Sequence, residues 1–295
     1  AMFNTFKTIG IIGKHSDPRI ADTISSVHHF LLEKDYTIIV DSKTAEQLPS
    51  IAIQSKPIES MGEQCDLVIA IGGDGTFLAA TRAIVKYNIP IIGINLGRLG
   101  FLVDISPDQI QSKLNSMLEG NYLEENRFLL HAKIIRDEQV IHEETAVNEI
   151  VIHRWITPSM IEIVTHIDGV YLNSQRSDGL IISTPTGSTA YSLSAGGPIL
   201  HPSLNALVLV PLSPHTLSNR PIVIDDSSEI EISFCQAKQI NALVTCDHLE
   251  IPDVLISDKI LIKKIPNPIK ILHPEDHDFF HILRKKLNWS GGYPI

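Results

Sequence analysis

The sequence predicts an α/β N-terminal domain with a doubly wound parallel sheet, followed by an all-β, sandwich-like second domain. Three observations carry that expectation. At 295 residues the chain exceeds what a single hydrophobic core usually serves. In its first part, short apolar runs alternate with segments of helical periodicity. From about Asn126 that rhythm gives way to short strands divided by turn residues. The boundaries follow: 1–125 for the first domain and 126–271 for the second, with 272–295 supplying a C-terminal helix that packs back.

The first domain opens with the apolar run 7–13, of the kind a buried parallel strand makes. Asp17 is placed to cap the next helix with Pro18 at its first position, and Ile20, Ile24, Val27 and Leu31 fall on one face. The pair His28-His29 is expected on the helix surface. Runs 36–40, 66–71 and 89–94 are the next strands, with 76–87 helical between the last two. A helix over 107–118, closed by Gly120, ends the domain.

In the second domain, strands 128–136 and 139–144 flank a hairpin at Asp137-Glu138. Strand 161–167 runs into Asp168-Gly169, a strong short hairpin signal. Further strands are expected at 179–183, 206–211, 229–234, 242–245 and 259–265. Phe279, Ile282, Leu283 and Leu287 then lie at helical spacing within 278–288.

Composition narrows the function classes. Apolar residues make up 43% and aromatics 6%, which fits a globular α/β protein. With 24 basic against 34 acidic residues the net charge is −10, so broad binding to nucleic acid or an anionic membrane is not expected. A polyphosphate ligand must therefore be held locally, by backbone N–H groups, a metal ion or a few placed cations. No apolar run reaches the roughly 18 residues that span a bilayer, and no signal peptide is evident. Ala1 ahead of Met2 is set aside as foreign to the natural chain, and a cytoplasmic location is the default. Cys65, Cys235 and Cys246 suit neither a disulfide nor a zinc spacing, and the thirteen histidines show no metal-like cluster.

Two segments carry the chemistry. In 66–78 a buried strand runs directly into Gly72-Gly73-Asp74-Gly75 and then Thr76. Glycines there admit positive φ and let the backbone approach a phosphate, while the following helix presents unpaired N–H groups. Asp74 would repel a phosphate, so it suits a hydroxyl or a metal. Used only for conformation, the same residues would make an ordinary βα turn. In 176–192, an apolar run leads into Thr186-Gly187-Ser188-Thr189-Ala190-Tyr191-Ser192, with more hydroxyls and turn residues than a structural segment needs. It lacks the Walker lysine, so a P-loop is excluded. The loop 93–100 has the wrong spacing for a dinucleotide fingerprint and is expected to line a cleft, with Phe101 either covering a base or serving as a core aromatic. Asn148 and Glu149 could read hydroxyls and an adenine amino group, or form a solvated turn.

Together, Gly72-Gly73-Asp74-Gly75, Asn148-Glu149 and Arg176-Ser177-Asp178-Gly179 with the bend after it resemble the NAD kinase family, over nearly the whole chain. The resemblance implies ATP-dependent phosphorylation of the adenosine 2′-hydroxyl of NAD, with Asp74 as general base and an active site in the cleft between the domains. Gly72, Gly73, Gly75 and Thr76 are then the phosphate-binding turn, and Mg²⁺ arrives with ATP. Phe101, Asn148, Glu149, Thr186, Thr189, Ala190, Tyr191 and Ser194 become nucleotide contacts. Arg176 and Asp178 match the entry to the bend, which in family tetramers reaches a neighbouring subunit's ligand, so a homo-oligomer, tetramer or dimer, is expected. Ser159 and Ser213 align only through variable loops. Where many members carry a glycine and a glutamine, this chain reads Cys246-Asp247-His248-Leu249, which leaves the contact of His248 open. A lipid or sugar kinase sharing the Gly-Gly-Asp-Gly turn and a noncatalytic NAD(P) sensor are the rival readings.

Overall fold

The computed structural model describes residues 5–48, 53–156, 159–235, 242–251 and 253–289. It divides into two compact units, Ala1–Asn126 with Ile269–Ile295, and Arg127–Pro268.

The first unit is built on a seven-stranded sheet in the order Ser55–Lys56, Thr37–Asp41, Thr8–Gly13, Leu67–Ile71, Ile91–Ile94, Ile269–His273, Leu123–Arg127. Thr8–Gly13 pairs in parallel with both Thr37–Asp41 and Leu67–Ile71, so the order of winding reverses between it and Leu67–Ile71. All five residues of Leu67–Ile71 are fully buried, which is why this strand reads as an unbroken apolar run. Each such Leu, Val or Ile contributes about 1.5–3 kcal/mol on burial. Ile269–His273 returns the chain to this sheet in parallel beside Ile91–Ile94, and the helix Phe279–Leu287 follows it. Asp278 caps that helix by accepting from the N–H groups of Phe280 and His281.

Three local expectations are corrected. The first helix runs Ile20–Glu33 and buries Ile20, Ile24, Val27 and Leu31, but Asp17 is not its cap. Its carboxylate accepts from the backbone N–H and guanidinium of Arg19, a nearer and charged donor. Of the histidine pair only His29 is exposed, where it meets Glu33 at 3.1 Å, while His28 is buried. Neighbouring residues lie about 100° apart round a helix, so a pair beside an apolar stripe turns one member inward. Finally, 107–118 is not one α-helix. A capping box between Ser106 and Gln109 tightens Pro107–Gln109 to 3₁₀ spacing, and a π turn at Ile110–Leu114 resets the register into Asn115–Leu118.

The second unit is a sandwich of two six-stranded antiparallel sheets. One has the order Val170–Ser177, Ile161–Ile167, Ile230–Phe234, Lys259–Lys264, Leu130–Arg136, Gln139–Ala146; the other Ile222–Asp225, Ala206–Leu212, Gly179–Ser183, Glu149–Arg154, Ala242–Cys246, Leu249–Ile251. Their inward faces share one core, in which Ile134, Ile163, Ile232 and Ile260 meet Ile150, Ile152, Ile182 and Val244. Both predicted hairpins are present. Asp137 and Glu138 lie at φ of 50° and 61°, and Asp168 and Gly169 at 51° and 77°, the left-handed pairs of two-residue turns whose twist matches the strands. No helix among the described residues is long and apolar enough to cross a membrane.

Candidate active site

In the first unit the glycine turn sits at the reversal of strand order, the place where open parallel sheets bind ligands. Gly72, at φ +155, donates its N–H to the Ile94 carbonyl, and a Cβ there would press on the Thr76 hydroxyl at 2.6 Å. Gly73 and Gly75 instead face open space. The helix Asp74–Ile84 starts there, so its first N–H groups, including those of Gly75 and Thr76, point outward without intrahelical acceptors. Backbone donors and the positive end of a helix together suit an anion. Lys14, absent from the sequence-derived set, follows the neighbouring strand Thr8–Gly13, and its N–H donates to the Ile71 carbonyl.

Asp74 is half-buried, and its carboxylate is held by the loop 95–105. The N–H of Phe101 donates to Oδ2 at 3.1 Å and that of Leu102 to Oδ1 at 2.9 Å. Gly100 makes this approach possible, because a Cβ at that position would stand 2.5 Å from Asp74 Oδ1. Buried Asn95 braces the loop, accepting from the Gly97 N–H and donating to the Val103 carbonyl. Phe101 packs its ring against Phe279, with the Lys286 ammonium 5.7 Å from the ring centroid, so this side chain belongs to a packed cluster.

The second unit gathers the other predicted residues around one start of strand. Glu149 begins the strand Glu149–Arg154, and Asn148 precedes it. The carbonyl of Asn148 accepts from the N–H of Thr184 at 3.0 Å and from its hydroxyl at 3.1 Å. A Cβ on Gly187 would lie 2.1 Å from that carbonyl oxygen, so the Thr-Gly-Ser-Thr segment can only lie this close with glycine there. Thr186–Thr189 forms a 3₁₀ turn, in which Thr186 takes a hydrogen bond from Arg127 and the Thr189 hydroxyl donates to the Thr186 carbonyl. Ala190 donates its N–H to Gly187, Tyr191 is exposed, and the Ser194 hydroxyl donates to the Tyr191 carbonyl.

Asp247 is the residue the sequence reading passed over. From the turn of the hairpin between Ala242–Cys246 and Leu249–Ile251, its carboxylate accepts from the N–H groups of Val147 at 3.0 Å and Asn148 at 2.8 Å. Glu149 adds a longer contact at 3.4 Å. The side chain of Glu149 is buried, and its Oε2 has no hydrogen-bond partner. Burial, reinforced by the charge of Asp247, pushes its carboxyl up to about 8. An orphaned buried carboxyl beside an amide side chain is a place for a ligand bearing hydroxyl or amino donors.

The remaining positions make none of these contacts. His248 is exposed at the hairpin turn, and Ser159 and Ser213 are exposed on loops, Ser213 at φ 44. Arg176 is exposed on Val170–Ser177, while Asp178 pairs with Arg154 at 3.1 Å. The expectation of no metal-like histidine cluster is corrected: His273 and His277, spaced H-x3-H in the sequence, converge on Asp104 in the first unit, although the spacing alone gives no hint of Asp104.

Comparison with known proteins agrees over both units. The chain matches the family model for the ATP-NAD kinase N-terminal domain over residues 9–122 and that for the ATP-NAD kinase C-terminal domain over 147–273. It is 52% identical over 290 residues to an NAD kinase from Methylococcus capsulatus, covering 98% of this chain and 100% of that one. Its fold is similar to that of yeast NADH kinase solved with NADH, at a TM-score of 0.88 and 24% identity over 99% of this chain and 90% of that one. An NAD kinase from Archaeoglobus fulgidus, solved with ATP, superposes with a TM-score of 0.73 at 25% identity, over 96% of this chain and 100% of that one.

Proposed function

Because the chain belongs to the ATP-NAD kinase family, we propose that Asp74 is the general base of its reaction and that Asn148 and Glu149 read the acceptor nucleotide. The activity itself is that of the family, phosphorylation of NAD with ATP to give NADP. A lipid or sugar kinase and a noncatalytic sensor give way to it, since the match extends through both domains at 52% identity.

Phosphoryl transfer through a loose transition state depends on alignment and charge neutralisation more than on covalent help. The outward N–H groups of Gly75 and Thr76 supply fixed donors for donor phosphates, with the Lys14 ammonium on the adjacent strand end. Two amides hold the Asp74 carboxylate, and each of its oxygens keeps a free lone pair for the attacking 2′-hydroxyl. That is the observation which carries the assignment. Mg²⁺ carried by ATP would supply charge neutralisation at the donor phosphates.

In the second unit, ribose hydroxyls or an adenine amino group would give Glu149 Oε2 the donor it lacks, next to the Asn148 amide. The Thr186–Thr189 turn, fixed to Asn148 through Thr184 and Gly187, supplies further hydroxyls and backbone groups. Arg176 lies on the outermost strand of its sheet, and the exposed Val170 and Tyr171 on that strand suit association with another copy of the chain.

The test uses an NAD analogue without the adenosine 2′-hydroxyl. It is expected to bind and to yield no phosphorylated product by mass spectrometry. A phosphorylated analogue would place the acceptor elsewhere.

A further inference from the structure

Asp104 follows the strand Ile91–Ile94, His273 ends its neighbour Ile269–His273, and His277 lies just before the helix Phe279–Leu287. The crossover of the sheet thus brings Asp104 to two histidines 169 and 173 positions away in sequence. His277 Nδ1 is 2.7 Å and His273 Nδ1 3.2 Å from the same Oδ2 of Asp104. The imidazoles stack with centroids 3.7 Å apart and planes within 10°. All three side chains are at least nine-tenths buried, at 1%, 9% and 8% exposure for His273, His277 and Asp104.

With neutral imidazoles, hydrogen bonding alone leaves this cluster incomplete; a doubly protonated His273 would reach both Asp104 and Glu125, and His277 Nε2 would still lack a partner. If both Nδ1 atoms donate to Asp104, both Nε2 atoms remain buried without a hydrogen-bond partner. Each such orphan costs about 1–3 kcal/mol. Glu125 lies 3.5 Å from His273 Nε2, where two acceptors would oppose one another unless that nitrogen carries the proton. A metal ion on the Nδ1 side enforces that tautomer, because the ring nitrogen away from the metal bears the hydrogen and donates to an outer carboxylate.

We propose that Asp104, His273 and His277 form a binding site for one transition-metal dication of the zinc type, with Glu125 as the outer partner of His273. Bonds near 2.1 Å place tetrahedral ligand atoms roughly 3.4 Å apart. The His273–Asp104 separation already approaches that value, while His277 must open by roughly 0.7 Å and the two stacked rings must turn so that their in-plane Nδ1 lone pairs converge on the ion. The fourth position faces a cavity of about 400 Å³ lined by Asp104 and His277, with Lys113 and Asp278 on its wall. Imidazole nitrogen selects zinc, cobalt, nickel or copper over magnesium, which distinguishes this ion from one that travels with a nucleotide. Its structural consequence is local: it ties the loop whose Phe101 and Leu102 amides hold Asp74 to the strand and helix that follow Pro268 in the chain.

The test takes the full chain without a histidine tag, in a Cys235→Ser background that removes the exposed thiol as a rival ligand. After stripping with a chelator it is titrated with Co(II) alone. One equivalent is expected to bind with the visible absorption of a four-coordinate nitrogen and oxygen site, to be displaced by one equivalent of Zn(II), and to resist excess Mg(II). His277→Gln and Asp104→Asn are expected to weaken binding at least tenfold, and Glu125→Gln by about 10–100-fold, while His29→Gln leaves the titration unchanged. Circular dichroism checks each variant, and if Asp104→Asn unfolds, His277→Gln decides. Binding well below one equivalent, a six-coordinate spectrum only, or unchanged affinity in folded His277→Gln would overturn the assignment.

Discussion

Asp247 organises the strand start at Asn148 and Glu149 from a hairpin turn about a hundred positions away in sequence, accepting from the N–H groups of Val147 and Asn148. The sequence marked 246–249 as unusual but weighed only His248, because a carboxylate that caps a distant strand start has no local signature. Asp247→Ala is expected to cost about 1–3 kcal/mol, since it leaves buried N–H groups without acceptors, and to raise the NAD dissociation constant at least tenfold. Thermal melts and NAD titrations measure the two effects. Glu149 was legible as a ligand contact, yet its titration was not, because burial is a property of the fold. Its carboxyl is raised from 4.5 to about 8, so the folded state retains the proton that the unfolded chain releases. The penalty is therefore absent below pH 4.5, grows through neutral pH and is complete above about 8. Glu149→Gln should match the parent's stability near pH 4 and exceed it by roughly 3–5 kcal/mol above pH 8. NAD hydroxyls that bond to the carboxylate should expel this proton, so calorimetry at pH 7 in buffers of different ionisation enthalpy is expected to show proton release; a buffer-independent heat would contradict the contact. Asp74→Asn keeps an acceptor for only one of the two N–H groups of Phe101 and Leu102, sets its amide nitrogen against the other, and removes the proposed base. Its kcat is expected to fall by about 10²–10⁴-fold with NAD affinity retained and a melting temperature lowered by no more than one lost hydrogen bond. Near-normal turnover in a folded variant would reduce Asp74 to a shaper of the turn.

Elements with a strong local pattern were readable, and those defined by distant partners were not. Leu67–Ile71 and Ile91–Ile94 announce themselves by unbroken apolar runs, and the two hairpins by turn residues that tolerate positive φ. Val170–Ser177 is implied by the hairpin signal at Asp168-Gly169, but its bounds are not, because it is an edge strand with only Gln175 and Ser177 buried and lacks an apolar face to read. Glu149–Arg154 begins inside the polar pair that drew attention as a ligand contact, which concealed its strand character. The loop 95–105 holds the proposed base, and its shape follows from contacts to Asp74 and Asn95 rather than from a dinucleotide-type glycine spacing. Gly100→Ala tests it. The added methyl would lie 2.5 Å from Asp74 Oδ1 and 2.6 Å from Val103 Cγ2, so the carboxylate must move. Overpacking of this kind costs about 1–3 kcal/mol, and a misplacement of about 1 Å at a reacting group can cost 10²-fold in rate. The expected result is a kcat lowered at least tenfold with NAD affinity within twofold of the parent. A loss confined to NAD affinity would show that the loop serves binding instead.

For the whole molecule, the change from alternating helices and strands to successive short strands near Asn126 sufficed to separate two domains. The return of Ile269–His273 to the first sheet was not legible, since parallel pairing with Ile91–Ile94 is set by a crossover spanning an entire domain. The Asp104, His273 and His277 cluster is a product of the same crossover and stayed hidden with it. Assembly is the remaining question at this scale. Val170–Ser177 is the outermost strand of its sheet, with Val170 69% and Tyr171 58% exposed, and the exposed side chain of Arg176, whose carbonyl accepts from the His215 N–H, is not drawn into the Arg154–Asp178 pair. If copies of the chain associate so that Arg176 reaches a neighbour's nucleotide, Arg176→Ala should preserve the oligomer's mass in light scattering. It should also raise KM for NAD about tenfold or more, the loss of one charge-assisted hydrogen bond. Mixing makes the assignment to a neighbour testable. Asp74→Asn chains lack the base, and Arg176→Ala chains lack the cation. A hetero-oligomer of the two can contain a site with an intact Asp74 from one chain and an intact Arg176 from the other. Co-refolded mixtures are therefore expected to regain NAD affinity at saturable turnover that neither variant shows alone. If Arg176 serves only its own chain, every site in the mixture stays defective and its activity equals the weighted mean of the parents.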